Sequence, residues 1–319
     1  MKKIAVLTSG GDAPAMNAAI RSVVRSGISS GLEVSGVLRG YEGLVDGHFI
    51  PMDSRSVAGI IHKGGTILHT SRCPRFLTEE GRNIALEQMK KNSIDALVVI
   101  GGDGSFRGAW ELHLKGFPVV GIPGTIDNDV AGTDETIGYD TALNTSLCAI
   151  SRLRDTASSH DRLFIIEVMG RDAGFLALEV GLASGADAVL IPELEIDLCQ
   201  LIDDIHRAKD IGKDHFIIVL AEGVMAGHEL KERLRDTGGY DARVSVLGYI
   251  VRGGDPTCFD TVLATRMGVH AVDLMIEGRY GMMVGSRGHK MISLPLKDSW
   301  ERKKMIHPEY LRILEIMNS

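Results

Sequence analysis

The chain has 319 residues, 44% of them hydrophobic and 38 of them glycine, which is long enough for two domains that each bury a core. Its 35 basic and 42 acidic side chains give a formal charge of −7, which argues against a general nucleic-acid or membrane surface, so positive partners for an anionic ligand must be gathered locally. Cys73, Cys148, Cys199 and Cys258 show no CxxC spacing, no signal peptide precedes the first predicted strand at Lys3, and no apolar run reaches membrane-spanning length; a reduced, soluble, cytoplasmic protein is expected.

Taken in chain order, the first predicted unit is IAVLTSGGDAPAMNAAIR, a strand ending at Gly10 and Gly11 with a helix over Met16 to Ser26. A strand at Val34 to Leu38 and a helix at Glu79 to Lys91 follow, and then the design repeats in ALVVIGGDGSFRGAWEL. Next come a strand at Val119 to Ile122, a helix at Tyr139 to Thr156 and a third copy, LFIIEVMGRDAGFLALEVGLA. A strand at Ala188 to Ile191, a helix at Leu198 to Ala208 and a strand at Phe216 to Ala221 lead to a fourth copy, VSVLGYIVRGGDPTCFDTVLATRMG, with its helix over Phe259 to Glu277. Strands that are apolar throughout, alternating with helices, predict an α/β fold with mainly parallel sheets covered on both faces: two Rossmann-like three-layer domains. The pattern restarts near Gly138 and crosses back near Val251, which predicts domains 1–138 plus 251–301 and 139–250 plus 302–319.

The GGDGS turn places backbone amides and one carboxylate at the carboxyl end of a buried strand, where open α/β sheets bind ligands. GxxxxGK[ST] is absent. An aspartate among phosphate-cradling amides repels phosphate unless a cation lies between them, so Asp103 points to Mg²⁺ bound with a nucleotide. Gly102, Gly104 and Gly108 also fit a loose dinucleotide fingerprint, and a ligand-free strand-to-helix turn fits the same residues. Gly10 and Gly11 let backbone amides approach a phosphate, and Arg72 in TSRCPRF is placed to bridge two phosphates.

The next strand runs into Gly124-Thr125-Ile126-Asp127-Asn128-Asp129. Two acids one residue apart raise each other's pKa unless a metal or donor intervenes, and one of them can accept the proton of an attacking hydroxyl; an Asp/Asn turn capping its own backbone is the alternative. Arg162, Arg171, Arg243 and Arg252 fall near predicted strand ends in the second half, with Arg171 and Arg252 just before helices, where a guanidinium can meet an oxyanion. HExxH and GxSxG are absent, the eleven histidines are dispersed, and Cys73 beside Arg72 reads as a lining residue of a nucleotide pocket.

Along nearly its whole length the chain resembles the bacterial ATP-dependent 6-phosphofructokinases, through LTSGGDAPAMNAAIR, RCPRF, IGGDGS, PGTIDND, TIGYDTALN, EVMGRDAG, AEGV and RGGDPT in family order and spacing. The resemblance implies that the first domain binds ATP through Gly11, Tyr41, Arg72, Cys73, Phe76, Gly102, Asp103, Gly104, Ser105 and Gly108, with Asp103 on Mg²⁺. It implies that Thr125, Ile126 and Asp127 meet the C1 hydroxyl of fructose 6-phosphate, with Asp127 as the base. Met169, Gly170, Arg171 and Glu222 would hold the sugar, Arg171 would also stabilise the transferring phosphoryl group, and Gly11, Arg72 and Thr125 would assist catalysis. Arg252 and Tyr249 would meet the 6-phosphate, with Arg162 and Arg243 reaching over from a neighbouring subunit of a homotetramer. Pyrophosphate-dependent relatives carry an acid where Gly104 stands and a lysine where Gly124 stands, so ATP is the implied donor.

The departures from the family also carry expectations. LGYIVRGG places Tyr249 and Val251 where the family has histidine and glutamine, which predicts altered affinity for the sugar phosphate, because a phenol carries no positive charge. The family's effector site for ADP or phosphoenolpyruvate maps onto Arg21, Arg25, Arg55, Gly59, Arg154, Gly185, Asp187, Ile211, Lys213 and His215. Ile211 and Asp214 replace basic residues there, which predicts blunted allosteric control. Two other classes share parts of the pattern. An NAD or lipid kinase would share GGDG without needing PGTIDND, and an NAD-dependent oxidoreductase would need an acid closing the strand that ends at Ile122-Pro123-Gly124, where none stands.

Overall fold

The computed structural model describes residues 1–158, 163–213 and 215–318, and the chain divides into two compact units, Met1–Thr141 with Arg252–Lys304 and Ala142–Val251 with Met305–Ser319. In chain order the elements are β1 (Lys3–Thr8), α1 (Met16–Ser29), β2 (Glu33–Val37), α2 (Gly40–Asp46), β3 (Phe49–Met52), α3 (Glu79–Lys91), β4 (Ala96–Gly101), α4 (Asp103–Leu114), β5 (Val119–Pro123) and α5 (Tyr139–Ser158). They continue with β6 (Leu163–Val168), α6 (Phe175–Ser184), β7 (Ala188–Leu190), α7 (Leu198–Asp210), β8 (Phe216–Ala221), α8 (Gly227–Gly238), β9 (Ala242–Val246), α9 (Cys258–Ile276), β10 (Met282–Arg287), β11 (Lys290–Pro295), α10 (Asp298–Glu301) and α11 (Pro308–Asn318).

The first unit holds a seven-stranded sheet in the order β11-β10-β5-β4-β1-β2-β3, parallel except for its edge pairs β2/β3 and β10/β11. Every residue of β4 is buried, as a central strand covered on both faces requires. One core layer gathers Leu7, Leu97, Val99, Phe106, Leu112 and Met283, and on it pack Trp110 and Trp300. Helices α1 and α9 approach closely: the Ser22 hydroxyl donates to the Thr265 carbonyl at 2.5 Å, and a Cβ on Gly268 would stand 2.6 Å from the Ser22 Cβ.

The second unit holds a fully parallel four-stranded sheet, β7-β8-β6-β9. Its core is built from Ile165, Leu201, Ile205, Ile218, Leu230 and Leu234. The first three predicted strand-turn-helix copies form as expected. The fourth does not stay together: β9 belongs to the second unit and α9 to the first, joined through a 3₁₀ turn at Gly248–Arg252 where the chain crosses between them. Among the described residues no helix is long and apolar enough to cross a membrane.

One buried acid fixes the start of α5. Asp260, in the first turn of α9, accepts hydrogen bonds from the Gly138 amide (2.9 Å), the Thr141 amide (2.7 Å) and the Thr141 hydroxyl (2.6 Å). Burial pushes its carboxyl pKa up and the three donors oppose that shift. A local signal for its placement lies in the sequence, since Thr257 caps α9 by accepting from the Asp260 amide three residues on.

Candidate active site

In the first unit β1 and β4 are neighbours, and the chain leaves β1 toward β2 on one side and β4 toward β5 on the other. The loops after those strands therefore part above their carboxyl ends and leave a crevice. Ser9, Gly10, Gly104, Ser105 and Gly108 line it together with Tyr41, Arg72, Cys73, Phe76, Arg107, Trp110 and Trp300, around a cleft of about 790 Å³. Seven of the ten residues expected to bind ATP are thus brought to one cavity: Tyr41, Arg72, Cys73, Phe76, Gly104, Ser105 and Gly108; Gly11, Gly102 and Asp103 are not among its lining residues.

Gly102 caps α4 in an extended conformation, so the helix opens at Asp103 and its first-turn amides lie at the crevice. The Tyr41 hydroxyl donates to the Ser105 carbonyl at 2.5 Å, and its ring stacks on Phe76 at 4.1 Å and 18°. Burial raises the Tyr41 pKa far above the phenol range, so it remains a donor. A Cβ on Gly108 would stand 2.9 Å from the Tyr41 Cζ, which explains the glycine. A Cβ on Gly104 would meet nothing within 4 Å, so this position opens onto free space.

Asp103 lies 3.9 Å from Arg107 one helical turn later, and Arg107 in turn sits 5.7 Å over the Trp300 ring. Trp110 meets Trp300 edge-on at 6.4 Å. Both tryptophans of the chain therefore border one cleft. Titration with MgATP in the absence of sugar is expected to give a saturable change in intrinsic tryptophan fluorescence, reduced in Trp300→Phe. A flat titration would contradict nucleotide binding at this cleft.

The acidic turn follows β5, next to the GGDGS loop: a Cβ on Gly102 would lie 3.9 Å from the Thr125 Cβ. The Thr125 hydroxyl accepts from the Asp127 amide at 3.2 Å, and the Thr136 hydroxyl donates to the Thr125 carbonyl at 2.6 Å. Ile126, Asp127 and Asn128 are buried, and Asn128 adopts a left-handed backbone with φ of 50°. For a non-glycine residue that conformation is uncommon and is held by surrounding contacts. Gly124 differs from Gly104, because a Cβ there would stand 3.2 Å from Ile100 and 3.3 Å from Met16, inside the core. The spatial argument for the donor therefore rests on Gly104.

Arg252 is held in the first unit. Its Nη2 lies 2.9 Å from Asp12 Oδ1, its Nε donates to the Asp12 carbonyl at 3.2 Å, and a Cβ on Gly11 would fall 2.1 Å from Nη2. Gly11 thus leaves room for a guanidinium lying over the loop after β1. Asp12 was not singled out in the sequence, although it belongs to the same GGD turn.

In the second unit, Met169, Gly170 and Arg171 follow β6, and Glu222 follows β8 beside it. Glu222 Oε1 accepts from the amides of Gly170 (3.1 Å) and Arg171 (2.8 Å), which fixes the turn. Arg171 has φ of 52°, and a Cβ on Gly223 would stand 2.0 Å from its carbonyl oxygen, so the turn fits only over glycine. Arg243 on β9 is exposed and lies 3.5 Å from Asp241, whose carboxyl is held below its usual range by Lys231 first and Arg243 second. Tyr249 is 79% exposed. Arg162 lies outside the described residues.

The phosphofructokinase family model matches residues 3–275. The chain belongs to the phosphofructokinase family. An ATP-dependent 6-phosphofructokinase of Listeria welshimeri is 51% identical over 318 residues, covering 100% of both chains. One from Halalkalibacterium halodurans is 53% identical over 313 residues and 98% of each. The solved phosphofructokinase of Saccharomyces cerevisiae superposes with a TM-score of 0.88 at 36% identity, over 100% of this chain and 47% of the yeast chain, so this chain spans about half the length of that relative.

In this phosphofructokinase the residues expected at an effector site fall in both units. Arg21 and Arg25 on α1, Arg55 and Gly59 belong to the first. In the second, Gly185, Asp187, Ile211 and Lys213 line a cleft of about 500 Å³, and the Arg154 guanidinium donates to the Gly185 carbonyl at 3.0 Å. Asp187 ion-pairs with Lys213 and accepts from the Ile217 amide at 2.7 Å, while Ile211 is 82% exposed. His215 borders an adjoining cleft that shares Lys213 and Phe216.

Proposed function

We infer that this phosphofructokinase transfers the γ-phosphoryl group of ATP to the C1 hydroxyl of fructose 6-phosphate. The observation that carries this reading is the abutment of the GGDGS loop and the Thr125–Asp127 turn on neighbouring strands β4 and β5, with Gly102 and Thr125 in near contact. An anion cradle and a hydroxyl-activating acid then share one strand-end surface. The full-length identity to ATP-dependent 6-phosphofructokinases supports the same reading.

Phosphoryl transfer with a loose transition state needs positioning and charge neutralisation more than covalent help. Asp127 accepts the C1 hydroxyl proton, and Thr125 orients that hydroxyl. Gly11 and the α4 amino end let phosphate oxygens approach the backbone, and Arg72 supplies a forked donor to them. Met169, Gly170 and Glu222 hold the sugar; Arg171 bears on the transferring group, and Arg252 and Tyr249 meet the 6-phosphate. Arg162 and Arg243 complete that phosphate site from a neighbouring subunit of a homotetramer.

The donor set fits Mg²⁺ carried in by a nucleotide: one carboxylate, Asp103, stands at a helix amino end beside amides, and among the described residues no cluster of three or more metal-binding side chains competes for it. Held there, the ion would neutralise charge between phosphates. The effector cleft is weakly cationic, because Lys213 is paired with Asp187 and Ile211 stands where the family has a basic residue. ADP and phosphoenolpyruvate therefore regulate the enzyme weakly. A cytoplasmic location suits its substrates.

A coupled assay of ADP release with and without fructose 6-phosphate tests the reading. Release that requires the sugar phosphate is expected, with the fructose 6-phosphate curve shifted little by millimolar phosphoenolpyruvate. Release dependent instead on NAD or a lipid would overturn the reading, and a strong sigmoid shift would overturn the regulatory part.

A further inference from the structure

The segment that returns along the first unit after α10 ends at Lys304, outside every motif that identifies the family. Its ammonium donates to the Asn128 Oδ1 at 2.8 Å and to the Asp134 carbonyl at 2.8 Å. Asn128 is the left-handed residue that immediately follows Asp127, and its own Nδ2 donates to the same Asp134 carbonyl at 3.2 Å. One lysine therefore closes a small ring between the acidic turn and residue 134.

The far side of that ring is rigidly mounted. The Asp134 amide donates to the Ser286 carbonyl at 2.9 Å, and Asp134 Oδ2 accepts from the Gly288 amide at 2.7 Å. The Thr133 hydroxyl donates to the Glu135 carbonyl at 2.9 Å and accepts from the Ser286 amide at 2.9 Å, so the segment is stitched to β10. On the near side, a change in the Asn128 backbone would swing the peptide next to Asp127. Two acids, Asp127 and Asp129, flank Asn128, and the lysine brings positive charge to the residue between them.

We propose that Lys304 is a positioning residue for the phosphoryl-transfer reaction: it locks Asn128 in its left-handed conformation and so fixes the direction of the Asp127 carboxylate. The role rests on the assignment of Asp127 as base. Lys304 acts through Asn128 and touches neither substrate, so its removal should be felt in turnover and not in binding. Misdirecting a base by a fraction of its working distance is costly, because proton transfer depends on near-attack geometry.

The experiment measures kcat and both KM values for wild type, Lys304→Met, Lys304→Arg, Asn128→Gly and the Lys304→Met/Asn128→Gly double variant. Asn128→Gly retains access to positive φ but lacks the acceptor. Lys304→Met is expected to lower kcat about tenfold, with both KM values within about twofold. Lys304→Arg should recover most of the loss, and the double variant should be no slower than the slower single one, as two parts of one contact behave. Wild-type kcat in Lys304→Met, a loss carried by KM, or fully additive losses would overturn the inference while leaving the function intact. A wild-type chain without sugar-dependent ADP release would remove the function and this inference together.

Discussion

Replacing Asp127 by serine is expected to lower kcat by about a hundredfold to ten-thousandfold, the range over which a positioned general base contributes, with MgATP affinity within about twofold of wild type. The expectation follows from its site. Asp127 is buried on a turn whose amides, hydroxyls and lysine are committed to holding shape, at the end of the strand beside the one that carries the GGDGS loop. Serine keeps this turn contact in place, since the Asp127 backbone amide, and not its carboxylate, donates to the Thr125 hydroxyl. Near-normal turnover in Asp127→Ser, with ATP binding intact, would remove the base from the mechanism.

Gly104→Asp is expected to weaken MgATP binding at least about a hundredfold with little change in melting temperature. Nothing stands within 4 Å of a Cβ at this position, so the added side chain folds without collision and occupies the cleft instead. A carboxylate about 4 Å from a phosphate oxygen costs about 4 kcal/mol at an effective dielectric constant near 20, which is roughly a thousandfold in affinity. Gly104→Ala is the neutral control and should bind ATP nearly as wild type does. Equal ATP affinity in Gly104→Asp would show that the nucleotide does not pass this glycine. The matching argument at Gly124 is weaker, because Ile100 and Met16 already fill the direction its side chain would take.

Local chemistry was legible in the sequence. GGDGS, PGTIDND and MGRDAG each combine a buried strand, glycine and an acid within a few residues, and each sits at a strand end as expected. The edge strands were not legible. β3 and β11 are half-exposed and irregular in pattern, and they pair antiparallel to their neighbours, so neither the apolar run nor the parallel repeat marks them. The fourth strand-turn-helix copy holds the crossing between units after Val251 within it, so its strand and its helix serve different cores.

The walls of the cleft in the first unit show the same division. Gly104, Arg107, Gly108 and Glu111 recur at i, i+3, i+4 and i+7 of α4, a spacing that announces a shared helix face. Trp300 reaches the same cleft from α10, and Lys304 reaches Asn128 from a polar run, across sequence separations of 190 residues (300 − 110) and 176. Only the closed fold brings these together. Glu193 is a further case: it accepts from the Gly174 amide at 2.9 Å at the start of α6, from a loop with no motif of its own.

The most direct test is to identify the product formed from ATP and fructose 6-phosphate by phosphorus NMR, alongside a count of ADP released. Transfer to C1 predicts fructose 1,6-bisphosphate and ADP in equal amounts, with no product when pyrophosphate replaces ATP. Phosphate appearing at another hydroxyl, ADP forming without a bisphosphate, or equal turnover with pyrophosphate would contradict it.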